Sequence, residues 1–326
     1  MERVGVGIVS ETRDPWPQRP ARPSEPAGPA GPAGPLGPAA ARAAAVAGTF
    51  YPSDPIRLAQ LVDTLLADAA GTGRPPRFSP DSVLGALVPH AGLVYSGGIA
   101  ALTWLLVGEM VPSTIVLAGT DHQGRADGVA VWTGGPWQTP LGDVPVDREL
   151  AMRIASLGPH FSADDDAHAT EHSLEVQMPF LVRACPGAQI VPLSVSSRLT
   201  GHVEAGALLG RLLARLRSEG ERVLIVASSD FAHYPPAQVC EEVDDNLLLP
   251  LLDLDGDALD EMEEALVRSD RPGMVCGMCG IDPTRFTLSA VAEMGARRGI
   301  LLGKATSADA GGDPNRTVGY AAAAFV

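Results

Sequence analysis

Apolar runs alternate with longer stretches of mixed character through most of the chain after residue 80. "SVLGALVP" (82–89), "STIVLAGT" (113–120), "AQIVPLSVS" (188–196) and "ERVLIVASSD" (221–230) have little period-2 alternation. Strands buried on both faces read this way. "GVAVWTG" (128–134) fits an antiparallel strand, and "GILLGKATS" and "GYAAAAFV" close the chain as two more strands. Helices are predicted at 97–108, 148–158, 201–218, about 239–250, 257–268 and 283–298. The segment at 148–158 opens on acidic residues and stops at glycine, ordinary helix punctuation. Strands separated by helices predict an α/β fold: one domain with a mostly parallel or mixed central sheet flanked by helices. Ligands of such sheets sit beyond the carboxyl ends of the strands.

Residues 1–42 break the pattern. They hold nine of the 29 prolines, and "AGPAGPAGPLGP" places glycine at every third position over four repeats. Collagen needs that period over a far longer stretch. The expectation is a disordered Pro/Gly/Ala-rich tail at 1–42 and a folded domain at 43–326. The tail is close to neutral, so the net charge of −15 belongs to the folded part. That charge argues against nucleic acid and anionic membrane surfaces as partners. Four cysteines are too few for a disulfide scaffold in 326 residues, and the N-terminus lacks a signal-peptide layout. A cytoplasmic protein is the expectation.

Three of the seven histidines fall just past a predicted buried strand. "LVPHAG" supplies His90, "VLAGTDHQG" supplies Asp121 and His122, and "VASSDFAHY" supplies Asp230 and His233. The fold would gather these groups at one sheet edge. There they could bind a divalent metal, with carboxylates fixing ring tautomers, or serve as acid and base without one.

His168-Ala-Thr-Glu171-His172 matches H-x-x-E-H, a zinc-peptidase signature that needs both histidines on one helix. Thr170 is a natural N-cap and the apolar run starts at Leu174, so His168 is expected before the helix, in water. His172 and Glu175 are expected in its first turns, facing the site. Cys276-Gly-Met-Cys279 lacks the second pair of a four-cysteine zinc site and the surroundings of a thioredoxin motif, but can lend one soft ligand to the histidines. "DLDGDALDE" (253–261) has Ala258 where a calcium loop needs glycine, which favours an acidic helix start. No phosphate loop, dinucleotide fingerprint or nucleophile elbow is present.

"VAGTFYP", "VPHAGLVYSG", "EHSLEVQMPFL", "SSDFAHY" and a "CG" pair occur in this order from about residue 45 onward. Together they resemble the Memo family, called AmmeMemoRadiSam system protein B in prokaryotes. The resemblance implies a fold related to the class III extradiol dioxygenases. It also implies a pocket with metal ligands at His90, His122 and Cys276, and with His172, Asp230 and His233 as candidate catalytic residues lining it. Cys279 is a second thiol at the same motif, so either cysteine can face the site. Iron or copper is the implied metal, with zinc possible, in a non-haem oxidoreductase acting on a small or protein-borne substrate. The alternative is a non-catalytic protein that binds a metal or peptide and acts with an AMME-type protein and a radical-SAM enzyme.

Overall fold

A computed structural model describes residues 39–71, 78, 79 and 81–326. Residues 1–38, most of the expected tail, lie outside the described residues. In chain order the elements are α1 (Pro55–Gly71), β1 (Gly85–Val88), α2 (Leu93–Glu109), β2 (Thr114–Thr120), β3 (Val129–Val131), β4 (Trp137–Thr139), β5 (Gly142–Val144), α3 (Arg148–Ala155), β6 (Phe161–Ala163), α4 (Met178–Ala184), β7 (Gln189–Val195), α5 (His202–Ser218), β8 (Val223–Ser228), α6 (Ala237–Leu252), α7 (Gly256–Arg268), α8 (Ile281–Met294), β9 (Gly299–Thr306) and β10 (Gly319–Phe325).

Eight strands form one sheet in the order β6-β3-β7-β2-β8-β1-β10-β9. β7, β2, β8 and β1 run parallel at its centre. The flanks are mixed: β3 is antiparallel to β7, and β10 is antiparallel to both β1 and β9. The sheet is therefore the mixed, helix-flanked kind expected from the alternation.

Alternation along the buried strands divides the core between the two faces. In β8, Val223, Ile225 and Ala227 pack in the cluster with α5, α6, α7 and α8, while Leu224 and Val226 pack in the cluster with α1, α2 and α4. Each strand is apolar throughout because both faces are covered.

The helix at 97–108 starts earlier than the sequence predicts, at Leu93. Gly97 does not open the helix; it lets α2 lie against α1, where an added Cβ would come 2.6 Å from Leu65. The boundary at residue 42 also moves. Arg42 is buried, with Nη1 2.7 Å from Glu175 Oε2 and its guanidinium 4.1 Å over the Trp137 ring. Arg42 belongs to the folded domain.

Candidate metal centre at the sheet edge

β2, β8 and β1 are neighbours in the sheet, so the loops that leave them meet at one edge. His90 follows β1, His122 follows β2, and Asp230 and His233 follow β8. His172 arrives from the segment before α4, and Cys279 from the turn that enters α8. The four histidines and Asp230 line a cavity of about 360 Å³, walled further by Phe50, Tyr95 and Tyr234, and Cys279 reaches it behind His90.

One ligand atom each from His90, His122 and His172 lies within 4.8 Å of the other two, and a second such set is His90, Asp230 and Cys279. The His122 and His172 rings stack at 4.5 Å, and His90 meets both edge-on at 5.3 and 5.6 Å.

The hydrogen bonds fix which ring nitrogens are free. Ser228 Oγ donates to Ser173 O at 2.7 Å, so it can only accept from His90 Nδ1, 3.1 Å away. The lone pair of His90 is then on Nε2, which lies 3.1 Å from Cys279 Sγ. Glu171 treats His122 the same way: its Oε1 lies 2.9 Å from His122 Nδ1, and an ionised carboxylate only accepts. The same oxygen lies 3.3 Å from His172 Nδ1 and accepts the His172 and Ser173 backbone N–H groups. One buried carboxylate thus orients two rings, the usual support for metal-binding imidazoles.

Burial, and then the neighbouring His122, His172 and His233 rings, push His90 well below the ordinary histidine range. Burial followed by the neighbouring rings lowers His172 and His233 to about 4, leaving both neutral at physiological pH. Burial alone would raise Glu171. Its bond to His122, the charges of His122 and His172 and the Ser173 N–H outweigh burial and hold it at about 2. Asp230 is pushed up to about 7 by burial, although it accepts from the His90 N–H at 2.7 Å and the Ala91 N–H at 3.2 Å. Burial, then Asp230, raises the Cys279 thiol well above its usual range, so its hydrogen lies toward His90 Nε2. A cation between these atoms would replace that hydrogen. His233 Nε2 is buried without a hydrogen-bond partner. Neutral imidazoles, a thiol and a carboxyl are a donor set for iron, copper or zinc, and the residues present fit such an ion.

The matched thiol needs correction. Cys276 is in neither ligand set, and it meets the site through its backbone O, which accepts from His233 N at 2.9 Å. The turn explains the choice. Gly277 N donates to Glu263 Oε1 and Gly280 N to Ser229 Oγ, each at 2.9 Å, so position 279 faces the end of β8. Gly280 is required for that approach, because an added Cβ would meet Ser229 Cβ at 2.5 Å and Ser228 O at 2.8 Å.

Other expectations change too. His168 is fully buried rather than in water: its Nε2 lies 3.1 Å from Ala130 O, between Trp132 and Trp137. It sits in a short 3-10 turn (Asp166–His168), apart from His172, so the peptidase geometry does not form. No helix starts at Thr170; a second 3-10 turn spans Glu175–Gln177 and α4 begins at Met178. Glu175 faces away from the cavity, toward Arg42, Tyr51 and the Ala45 and Val46 N–H groups. Asp121 folds back onto the Arg125 and Ala126 N–H groups and shapes its own loop. Asp255 accepts from Ala258 N at 2.9 Å as the N-cap of α7, as expected of an acidic helix start.

The family model described as Memo-like protein matches residues 42–324. The chain belongs to the Memo-like family. A MEMO1 family protein from Methanopyrus kandleri is 35% identical over 286 residues, covering 86% of this chain and 97% of that relative. Another from Ignicoccus hospitalis is 36% identical with the same coverage, and one from Pyrobaculum aerophilum is 37% identical over 290 residues. A solved structure of an uncharacterized protein from Escherichia coli K12 superposes with a TM-score of 0.48 at 19% identity, covering 75% of this chain and 100% of that one. Among the described residues of this Memo-like chain, no helix is long and apolar enough to cross a membrane.

Proposed function

We propose that this Memo-like protein holds one iron or copper ion in the histidine cavity and supports O₂-linked oxidation of a small or peptide-borne substrate there. The observation that carries the reading is the convergence of three imidazoles on one point, with Cys279 Sγ beside His90 Nε2. His90, His122 and His172 would hold the ion, and Cys279 would add a thiolate. A bound ion of this kind supplies Lewis acidity and one-electron chemistry.

The chain's own groups do the rest. Ser228 and Glu171 hold the rings in the tautomers that turn lone pairs inward. Asp230, raised to about 7 by burial, can hold or release a proton near neutral pH beside His90. His233, neutral and with Nε2 unpartnered, can accept one. Phe50, 4.7 Å from the His172 ring, excludes water from one side. Four free thiols suit a reducing cytoplasm.

The test is anaerobic loading with Fe(II), Cu(I) or Zn(II), metal analysis per chain, and an oxygen electrode. The reading expects one iron or copper per chain and oxygen uptake that depends on it. Retention of zinc alone, with no oxygen uptake in any form, overturns it.

A second reading draws on the surface beside the cavity, where Val94, Tyr95 and Tyr234 are exposed. In that reading the pocket seats a metal or peptide without turnover, and an AMME-type protein and a radical-SAM enzyme are the partners. Co-purification of either partner with metal-loaded but oxygen-inert protein favours it.

A further inference from the structure

We propose that Arg316 selects substrates that carry a carboxylate, gripping that group at the mouth of the histidine cavity. The proposal rests on the reading of this cavity as a substrate-binding metal site. Among the described residues lining the cavity, Arg316 is the one permanent cation. It lies on the connection between β9 and β10, and no carboxylate among the described residues lies within ion-pairing distance of its guanidinium. An arginine in a chain of net charge −15 has many acidic partners available, so one left unpaired over a cavity is unusual.

Arg316 is nevertheless held in place. Its guanidinium carbon sits 4.1 Å over the Tyr234 ring, which lies 5.4 Å from the His233 ring. The stack therefore leads from the rim to His233 on the cavity wall. Backbone bonds fix both halves of it. Tyr234 N donates to Thr317 O at 2.6 Å, and Thr317 N donates back to Pro235 O at 2.9 Å. Tyr234 also adopts φ +72°, a conformation that a bulky side chain takes only at a cost. The strained residue is the one that carries the arginine.

Stacking leaves the edge of the guanidinium free, and that edge offers paired N–H donors matched to a planar carboxylate. Charge decides between carboxylate and a dianion. Asp313 lines the same rim, with its Oδ1 occupied by the Asn315 N–H at 2.9 Å, and Asp230 lies deeper. One guanidinium among these groups balances a single negative charge and not two.

The probes are 3,4-dihydroxybenzoate and its neutral amide, 3,4-dihydroxybenzamide, titrated at pH 8 against metal-free and metal-loaded protein. The adjacent hydroxyls engage a metal, or the imidazoles without one; only the para group differs. The wild type is expected to prefer the carboxylate by about ten- to a hundredfold in both forms, the range of a charge-assisted pair. Arg316→Gln should bring the ratio to about one with amide binding unchanged, and Arg316→Lys should restore part of it. A retained preference with no gain on metal loading would count against the metal site and for this proposal. A ratio near one in the wild type, an unchanged ratio in Arg316→Gln, or no binding of either probe in either form overturns it.

Discussion

Cys279 Sγ lies 3.1 Å from His90 Nε2, at the distance of a thiol donating to an imidazole lone pair. Residue 90 follows β1 and residue 279 precedes α8, so the contact joins points 189 positions apart in the chain. The pair sets the chemistry of the pocket. Cys279→Ser should weaken binding of a thiophilic metal by at least about tenfold, the loss of a donor from a site where binding depends on ligand count. Cys276→Ser should change it little. Competition against a chromophoric chelator for both variants makes the comparison. Equal losses would return Cys276 to the ligand set.

Proton release gives an independent view of the same thiol. The thiol is protonated at neutral pH because burial raises it, whereas His90, His172 and His233 are already neutral because burial and their neighbours lower them. Thiolate ligation must expel the thiol's proton, while His90 and His172 have none to lose. At pH 8, above the raised value of about 7 for Asp230, metal binding should release about one more proton in the wild type than in Cys279→Ser. Calorimetry in buffers of different ionisation enthalpy measures the difference. No difference would mean that the thiol does not ligate.

Glu171 supports two rings with one carboxylate. Glu171→Gln keeps the shape but removes an acceptor-only group, so the tautomers of His122 and His172 are no longer enforced. Metal affinity should fall by about 10- to 100-fold, the usual effect of removing such a partner. Circular dichroism should stay unchanged. Wild-type affinity in the variant would show that the rings need no orienting partner.

Arg42 and Glu175 form a buried ion pair, 2% and 0% exposed, that clamps the start of the domain onto the loop carrying His172. Arg42 also donates to His168 O and Glu171 O, each at 2.7 Å. Arg42→Ala leaves the Glu175 charge buried without its partner and should cost about 3–5 kcal/mol. Denaturant unfolding measures it. An unchanged midpoint would show that the Ala45 and Val46 N–H groups and the Tyr51 hydroxyl suffice for Glu175.

The sheet was legible because strands buried on both faces are apolar at nearly every position, as in β2 and β8. α1 was not legible although Leu58, Val62 and Ala69 repeat at helical spacing, because Pro52 and Pro55 at its start read as a turn. His90, His122, Asp230 and His233 were legible as groups at strand ends. The choice of Cys279 over Cys276 was not. It depends on bonds from Gly277 to Glu263 and from Gly280 to Ser229, partners that the fold alone brings near. Glu171 was hidden inside a peptidase-like pattern, and its role appears only when the segment before α4 turns back over β2. His168 and His172 are four residues apart, yet one is packed between tryptophans and the other faces the cavity.

The most direct test is metal stoichiometry of anaerobically loaded His90→Ala beside the wild type, with circular dichroism on both. His90 belongs to both convergent ligand sets, so its loss removes a donor from either arrangement. The expected result is one iron or copper per wild-type chain, and little metal on a folded His90→Ala at the same free concentration. A folded His90→Ala that keeps its full complement of metal would contradict the account.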